Sequence, residues 1–247
     1  MPSSASCRPT PQGSGRLLPL LELEGPAQMA LDAWLLDQCV RGMFTAPILR
    51  FYTWAGPWLS LGHHQQDLPA EWEALERTGQ LHVVRRPSGG GAVLHAGGLT
   101  YALIWPNAPR VRKEAYQATS LWLMDGFSRL GLPLQPGRTP AEAGGRDCFA
   151  SATPADLVDH NGHKRIGSAQ FWRRGHLLQH GEILLSPPAS LWSALFGTVP
   201  PAPPEALTAA EIINELTAAL QRLWPELEWE NLDLTDQQWD AIKKQTA

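Results

Sequence analysis

The sequence predicts an α/β fold of the α+β kind, a mixed and largely antiparallel sheet flanked by helices. Three observations carry this. Residues 155–186 hold three strand-like runs in succession, joined by Asn161-Gly162 and by Arg173-Arg174-Gly175. Turns this short join antiparallel neighbours, so a meander is expected. Upstream, strand-like runs alternate with helical patterns. The third observation is size: 247 residues, 43% of them hydrophobic, suffice for one sizeable core, so residues 17–247 are expected to form a single domain.

Taken in order, residues 1–16 are rich in Ser, Pro, Gly and Arg and lack an apolar run, which reads as a short disordered tail rather than a leader. Leu17 to Leu23 reads as a first strand. Pro26 to Asp37 has Pro in its first turn and apolar residues at helical spacing. Cys39 lies among the apolar neighbours of that helix, as a buried structural thiol would. Ile48 to Trp54 alternates like a strand, with Pro57 to Gly62 as its expected partner. The adjacent His63 and His64 project to opposite sides if extended, which argues against a metal site from that pair alone. A short amphipathic helix is expected over Pro69 to Arg77.

A glycine-rich stretch comes next. Leu81 to Val84 runs into Arg85-Arg86-Pro87-Ser88-Gly89-Gly90-Gly91-Ala92-Val93-Leu94-His95, and Gly98 to Trp105 leaves as a second strand. Three glycines weaken regular structure but let backbone N–H groups approach a ligand. Arg85 and Arg86 beside them suit phosphate or carboxylate. An ordinary glycine-rich hairpin is the alternative. The stretch is no P-loop, because no Gly-Lys-Ser/Thr follows, and no Rossmann fingerprint, because the spacing differs and no helix follows.

Lys113 to Gly131 is the longest helical pattern, with Trp122 assigned to the core and Gly131 as its C-cap. Gln135 to Thr153 reads as a loop, of a length that points to function or mobility. After the meander, Pro-rich Val199 to Glu205 leads into a C-terminal helical extension. Its first helix runs from Thr208 to Leu223 with Thr208 and Glu211 as a capping box, and a last one covers Asp236 to Lys244.

A net charge of −4 gives no reason to invoke nucleic acid or an anionic membrane. Cys7, Cys39 and Cys148 are odd in number and widely spaced, which excludes a disulfide framework and points to the cytoplasm. No apolar run approaches the roughly 18 residues of a membrane span.

The string from Arg85 to His95 resembles the signature of the lipoate–protein ligase and octanoyltransferase family, which is related to the biotin–protein ligases. It departs from the Gly-Arg-Gly-Arg core of biotin ligases, which argues against biotin. Met29-Ala30-Leu31-Asp32 and the stretch with Trp58, Ser60-Leu61-Gly62 and Gln65 resemble further family segments. So do Gly162-x-Lys164-x-x-Gly167-Ser168-Ala169 and Leu178-Gln179-His180-Gly181-Glu182. The resemblance implies a core similar to that of class II aminoacyl-tRNA synthetases. It also implies a loop wrapping an acyl chain and a lysine, Lys164, at the acyl carbonyl, where an ammonium stabilises developing charge. Substrate-binding positions carried over are Arg85, Arg86, Ser88, Gly89, Gly90, Gly91, Ala92, His95, Gly167, Ser168, Ala169, His180 and Gly181. On the residues alone, a strand lysine is most often a surface charge, and His180 either faces the pocket or is a satisfied structural histidine.

Cys148 decides between chemistries. Its Cys148-Phe149 pair resembles the Gram-positive type of octanoyltransferase, whose loop cysteine holds the acyl group as a thioester. The expected activity is octanoyl transfer from acyl carrier protein to a lysine of a lipoyl domain, of 2-oxoacid dehydrogenases or the glycine cleavage H protein. Cys148 and Lys164 would be catalytic, with no cofactor and no metal. The alternatives are a lipoate ligase using ATP and Mg²⁺, and a non-catalytic binder of acyl-carrier proteins or lipoate. The protein is expected to be a monomer.

Overall fold

A computed structural model describes residues 13–138, 152–204 and 207–245. In chain order the elements begin with β1 (Gly15–Leu17), β2 (Leu21–Leu23), α1 (Gly25–Val40), β3 (Ile48–Trp54), β4 (Trp58–Leu61) and α2 (Ala70–Arg77). There follow β5 (His82–Arg85), β6 (Val93–His95), β7 (Leu99–Trp105), α3 (Arg112–Arg129), β8 (Gln135–Pro136) and β9 (Leu157–Val158). The chain continues through β10 (Lys164–Arg173), β11 (His176–Ile183), α4 (Ala189–Phe196), α5 (Ala209–Leu223), β12 (Trp229–Asn231) and α6 (Asp236–Lys243).

The main sheet has the order β12-β1-β3-β7-β11-β10-β9-β8, with β2 pairing alongside β3. From β3 to β8 every pairing is antiparallel, while β1, β2 and β12 join in parallel. The mixed, largely antiparallel sheet is therefore present. Its two faces are covered by different helices. On one, Phe51, Tyr101, Leu103, Ile166 and Leu177 pack with α3 and α5 around Trp122 and Phe127. On the other, Ile48, Tyr52, Ile104 and Leu178 meet Leu31, Leu35 and Trp34 of α1. A second sheet, β5-β4-β6, packs with α2 and α4 around Trp72, Leu94 and Trp192.

Local signals formed as read. Thr208 and Glu211 make the reciprocal capping box of α5. Arg174 and Gly175 both take positive φ, the two-residue turn that matches strand twist in the β10–β11 hairpin. Gly131, at φ +79, follows the end of α3.

Several expectations are corrected. The first strand is two short ones, because Pro19 has no N–H to donate to a ladder. Gly15 and Arg16, expected in the disordered tail, pair with β12; residues 1–12 lie outside those described. β4 does not partner β3 but belongs to the small sheet. The glycine-rich stretch is no hairpin between its flanking strands. β5 pairs β4 in parallel, a third strand, β6, forms inside the stretch and pairs β4 antiparallel, and β7 crosses to the main sheet. The C-terminal helical extension packs into the core of the same domain. Ile212, Leu216 and Leu220 of α5 join the α3 cluster, and β12 completes the sheet edge against β1.

Candidate functional site

Three rows of facing residues cross β3, β7, β11 and β10. Arg50, Ala102, His180 and Ala169 stand abreast, as do Tyr52, Thr100, Glu182 and Gly167. Between them run Phe51, Tyr101, Gly181 and Ser168. Alternation sends the first two rows toward α1 and the small sheet and the middle row toward α3. A cavity opens on the α1 side. Tyr52, Trp54, Thr100, His180 and Glu182 form its main-sheet wall, and Ser60, Val93 and His95 its small-sheet wall. Met29 of α1, the loop residues Arg86, Gly89 and Gly90, and the Gly167–Ala169 segment of β10 complete it.

Polar groups in these walls satisfy one another. His95 Nδ1 lies 2.7 Å from Glu182 Oε2, and His95 Nε2 lies 2.8 Å from Ser60 Oγ. Thr100 donates to the same Glu182 oxygen at 2.5 Å and accepts from the Trp54 indole at 2.8 Å. Trp54 also stacks on His95, with ring centroids 4.0 Å apart. A second relay runs from Asp32 through His180 to Ser88. His180 Nδ1 is 3.3 Å from Asp32 Oδ2, and its Nε2 is 2.6 Å from Ser88 Oγ. Asp32 is held in turn by Arg50 at 2.9 Å and the Tyr52 hydroxyl at 3.3 Å. A carboxylate can only accept, so each imidazole donates from Nδ1, and a neutral ring leaves Nε2 to accept from the serine. Burial pushes the His95 pKa below the ordinary histidine value, against the pull of Glu182, with Arg86 and His180 adding to the push. Burial likewise drives the Tyr52 hydroxyl well above its usual range, helped by the charge of Asp32.

Arg86 braces the glycine loop from within. It donates to the carbonyls of Ser60, Gly89 and Gly91 at 2.7, 2.8 and 2.6 Å. The loop lies so close to the end of β4 that a Cβ on Gly62 would fall 2.0 Å from the Gly90 carbonyl oxygen. Gly90 itself takes φ +96, a conformation that suits glycine.

Lys164 is buried, not a solvated strand lysine. Its Nζ sits 3.0 Å from Asp156 Oδ1, and Asp156 also accepts from Thr153 N, Thr153 Oγ1 and the backbone N of Ser168. A bulge separates Lys164 from Ile166, so the pairing that would put them on one face is not regular. The Ser168 hydroxyl meets Tyr101 OH at 2.8 Å. A Cβ on Gly181 would fall 2.6 Å from the Tyr101 ring, so glycine is what fits there.

The structure thus gathers Arg86, Gly89, Gly90, His95, Gly167, Ser168, Ala169, His180 and Gly181 around one cavity. Ser88 and Gly91 are tied to it through His180 and Arg86, and Lys164 through Asp156 and Ser168. Two expected substrate contacts lie outside the cavity lining. Arg85 is exposed and donates to the carbonyls of Gly62 and Gln65, outside the cavity lining. Ala92 is buried in the small-sheet core. Cys148 lies outside the described residues. Asp32 and Glu182 were missed as site residues. The available signal was an acid amid apolar neighbours, in helix α1 and in strand β11 respectively. The rings of His63 and His64 meet edge to face at 4.9 Å. Among the described residues, no group of three or more His, Cys, Asp or Glu is placed to hold a metal, and no helix is long and apolar enough to cross a membrane.

The sequence description of the lipoyl protein ligase A/B catalytic domain matches residues 24–228. The chain belongs to this family. Among relatives, octanoyltransferase LipM of Geobacillus kaustophilus is 39% identical over 181 residues, covering 68% of this chain and 64% of that protein. LipM of Staphylococcus aureus is 37% identical over 169 residues, 63% of this chain and 60% of its own length. The match to this chain therefore spans less than two thirds of either relative. Among solved structures, lipoate-protein ligase A bound with ATP superposes with a TM-score of 0.75 at 21% identity, over 95% of this chain and 94% of the other. The bipartite lipoate protein ligase of Thermoplasma acidophilum, described with its E2 lipoyl domain, gives 0.70 at 20% identity, over 95% and 92%. At these identities the structural likeness establishes the lipoate ligase fold.

Proposed function

We propose that this member of the lipoyl ligase family is an octanoyltransferase of protein lipoylation. It takes the octanoyl group from acyl carrier protein and delivers it to a lysine of a lipoyl domain, of a 2-oxoacid dehydrogenase or the glycine cleavage H protein, in the cytoplasm. The observation that carries the reading is identity of 36–39% to proteins named octanoyltransferase LipM. The cavity supports it, since its polar wall residues are bonded to one another and leave an interior suited to a hydrocarbon chain.

Two acyl transfers in series make up the chemistry. The Cys148 thiolate attacks the thioester carbonyl of the donor, the carrier's thiolate leaves and is protonated, and an octanoyl–Cys148 thioester remains. The acceptor lysine, as free amine, then attacks that carbonyl. An amide forms, the C–S bond breaks, the nitrogen loses a proton, and Cys148 is regenerated. Lys164 and the loop amides stabilise the oxyanion in each step. This route consumes no ATP and uses no metal.

The test is to incubate the protein with an apo lipoyl domain and either octanoyl-acyl carrier protein, or lipoate plus ATP and Mg²⁺, and to follow the acceptor's mass. Octanoylation from the carrier protein without ATP is expected. Modification only with ATP and a free acid would establish a ligase instead, and none with either donor a non-catalytic binder.

A further inference from the structure

The cavity lies between two sheets that share no strand pairing, and two buried relays run along its walls. Glu182 is on the main sheet and His95 and Ser60 are on the small one, so the Glu182–His95–Ser60 relay joins sheet to sheet. Asp32 and His180 belong to α1 and the main sheet, and Ser88 begins the glycine loop, so the second relay joins sheet to loop. Each of the six side chains is at least nine-tenths buried. Arg86 ties Ser60 of the first relay to the glycine loop, bonding Ser60 on one side and the carbonyls of Gly89 and Gly91 on the other.

Buried polar groups are costly unless fully bonded, and fully bonded ones define a single geometry. Apolar contacts are non-directional and tolerate some repacking of the gap between the sheets. Hydrogen bonds of 2.6 to 2.8 Å at the serines and at the His95–Glu182 pair do not permit that. Both imidazoles spend their nitrogens along the relay, so no free ring nitrogen is left to face the chain.

We propose that the Asp32–His180–Ser88 and Glu182–His95–Ser60 relays are struts that set the width of the acyl slot, so that Asp32 and Glu182 act as positioning residues that favour a slim aliphatic chain over one ending in a ring. The proposal rests on the acyl-transfer reading of the cavity. In this proposal each carboxylate acts through the histidine and serine it is bonded to.

Equilibrium dialysis with octanoate and with lipoate, whose chain ends in a dithiolane ring, tests it. Ser60→Ala, Ser88→Ala and Glu182→Gln should each raise the Kd for octanoate at least fivefold. The Kd for lipoate should rise less, so that the preference for octanoate falls by threefold or more. With octanoyl-acyl carrier protein as donor the loss should appear in KM rather than kcat, and Ser88→Thr, which keeps the hydroxyl, should recover most of it. Equal loss for both ligands, or unchanged binding of both, would overturn the struts while leaving the acyl-transfer reading intact. Should Glu182→Gln fail to fold, the two serine variants decide the matter. A wild-type protein that binds neither ligand would instead remove the reading on which the proposal stands.

Discussion

Lys164 and Asp156 form an ion pair that is buried on both sides, with Nζ 3.0 Å from Oδ1. Asp156 spends its other bonds on Thr153 and on the backbone N of Ser168, where the cavity wall begins. The pair therefore joins three things: the lysine, the strand segment Gly167–Ala169, and the end of the segment that carries Cys148.

The pairing changes what removal of the lysine should do. Lys164→Met leaves a carboxylate buried without its cation, a change that typically costs about 3–5 kcal/mol. Urea unfolding should show that loss, and Lys164→Met/Asp156→Asn should recover most of it. Transfer should stay down by about 10²–10³ in both variants. Activity that returns with stability would make Lys164 a structural residue only.

Two glycines beside the cavity should respond differently. Gly62→Ala drives a methyl against the Gly90 carbonyl, so the loop must shift and octanoate binding should weaken several-fold. Gly89→Ala meets nothing within 4 Å and its φ is not positive, so thermal unfolding should stay within a degree or two of the parent. Equal Tm and equal octanoate affinity for the two variants would mean the close approach carries no weight.

His95 makes stability depend on pH in a definite direction. Burial holds its folded pKa below the unfolded value, so between the two the unfolded chain binds the extra proton and folding is opposed. The contribution is complete above about pH 6.5. It declines as pH falls below that and is gone once pH passes the folded value. Urea midpoints at pH 7.5 and 5.5 should therefore fall further for the parent than for His95→Gln. Parallel declines would place the proton elsewhere.

Cys39 should be inert. Burial pushes its thiol up to about 12, so almost no thiolate exists at pH 8. Iodoacetamide on the native protein, followed by peptide mass analysis, should label Cys148 and spare Cys39 until the chain is unfolded. Early labelling of Cys39 would contradict its place in the α1 core.

What was legible in the sequence was local. The capping box at Thr208 and Glu211 and the Arg174-Gly175 turn each depend on residues a few positions apart, and both formed. Helix and strand periods were readable for the same reason. Pairing between distant strands was not, because the four residues of β4, all buried, read the same whether the strand faces β3 or β6. The two acids were hidden by distance: Asp32 meets a histidine 148 positions away and Glu182 one 87 away. The burial of Lys164 depended on Asp156, which on its own reads as one more turn aspartate.

The most direct test of the acyl-transfer account is the intact mass of the protein after mixing with octanoyl-acyl carrier protein and no acceptor. The account predicts a single octanoyl adduct that maps to Cys148, is labile to hydroxylamine, is absent in Cys148→Ser, and disappears when an apo lipoyl domain is added as that domain gains the same mass. No adduct, together with lipoyl-domain modification that requires ATP and survives Cys148→Ser, would contradict it.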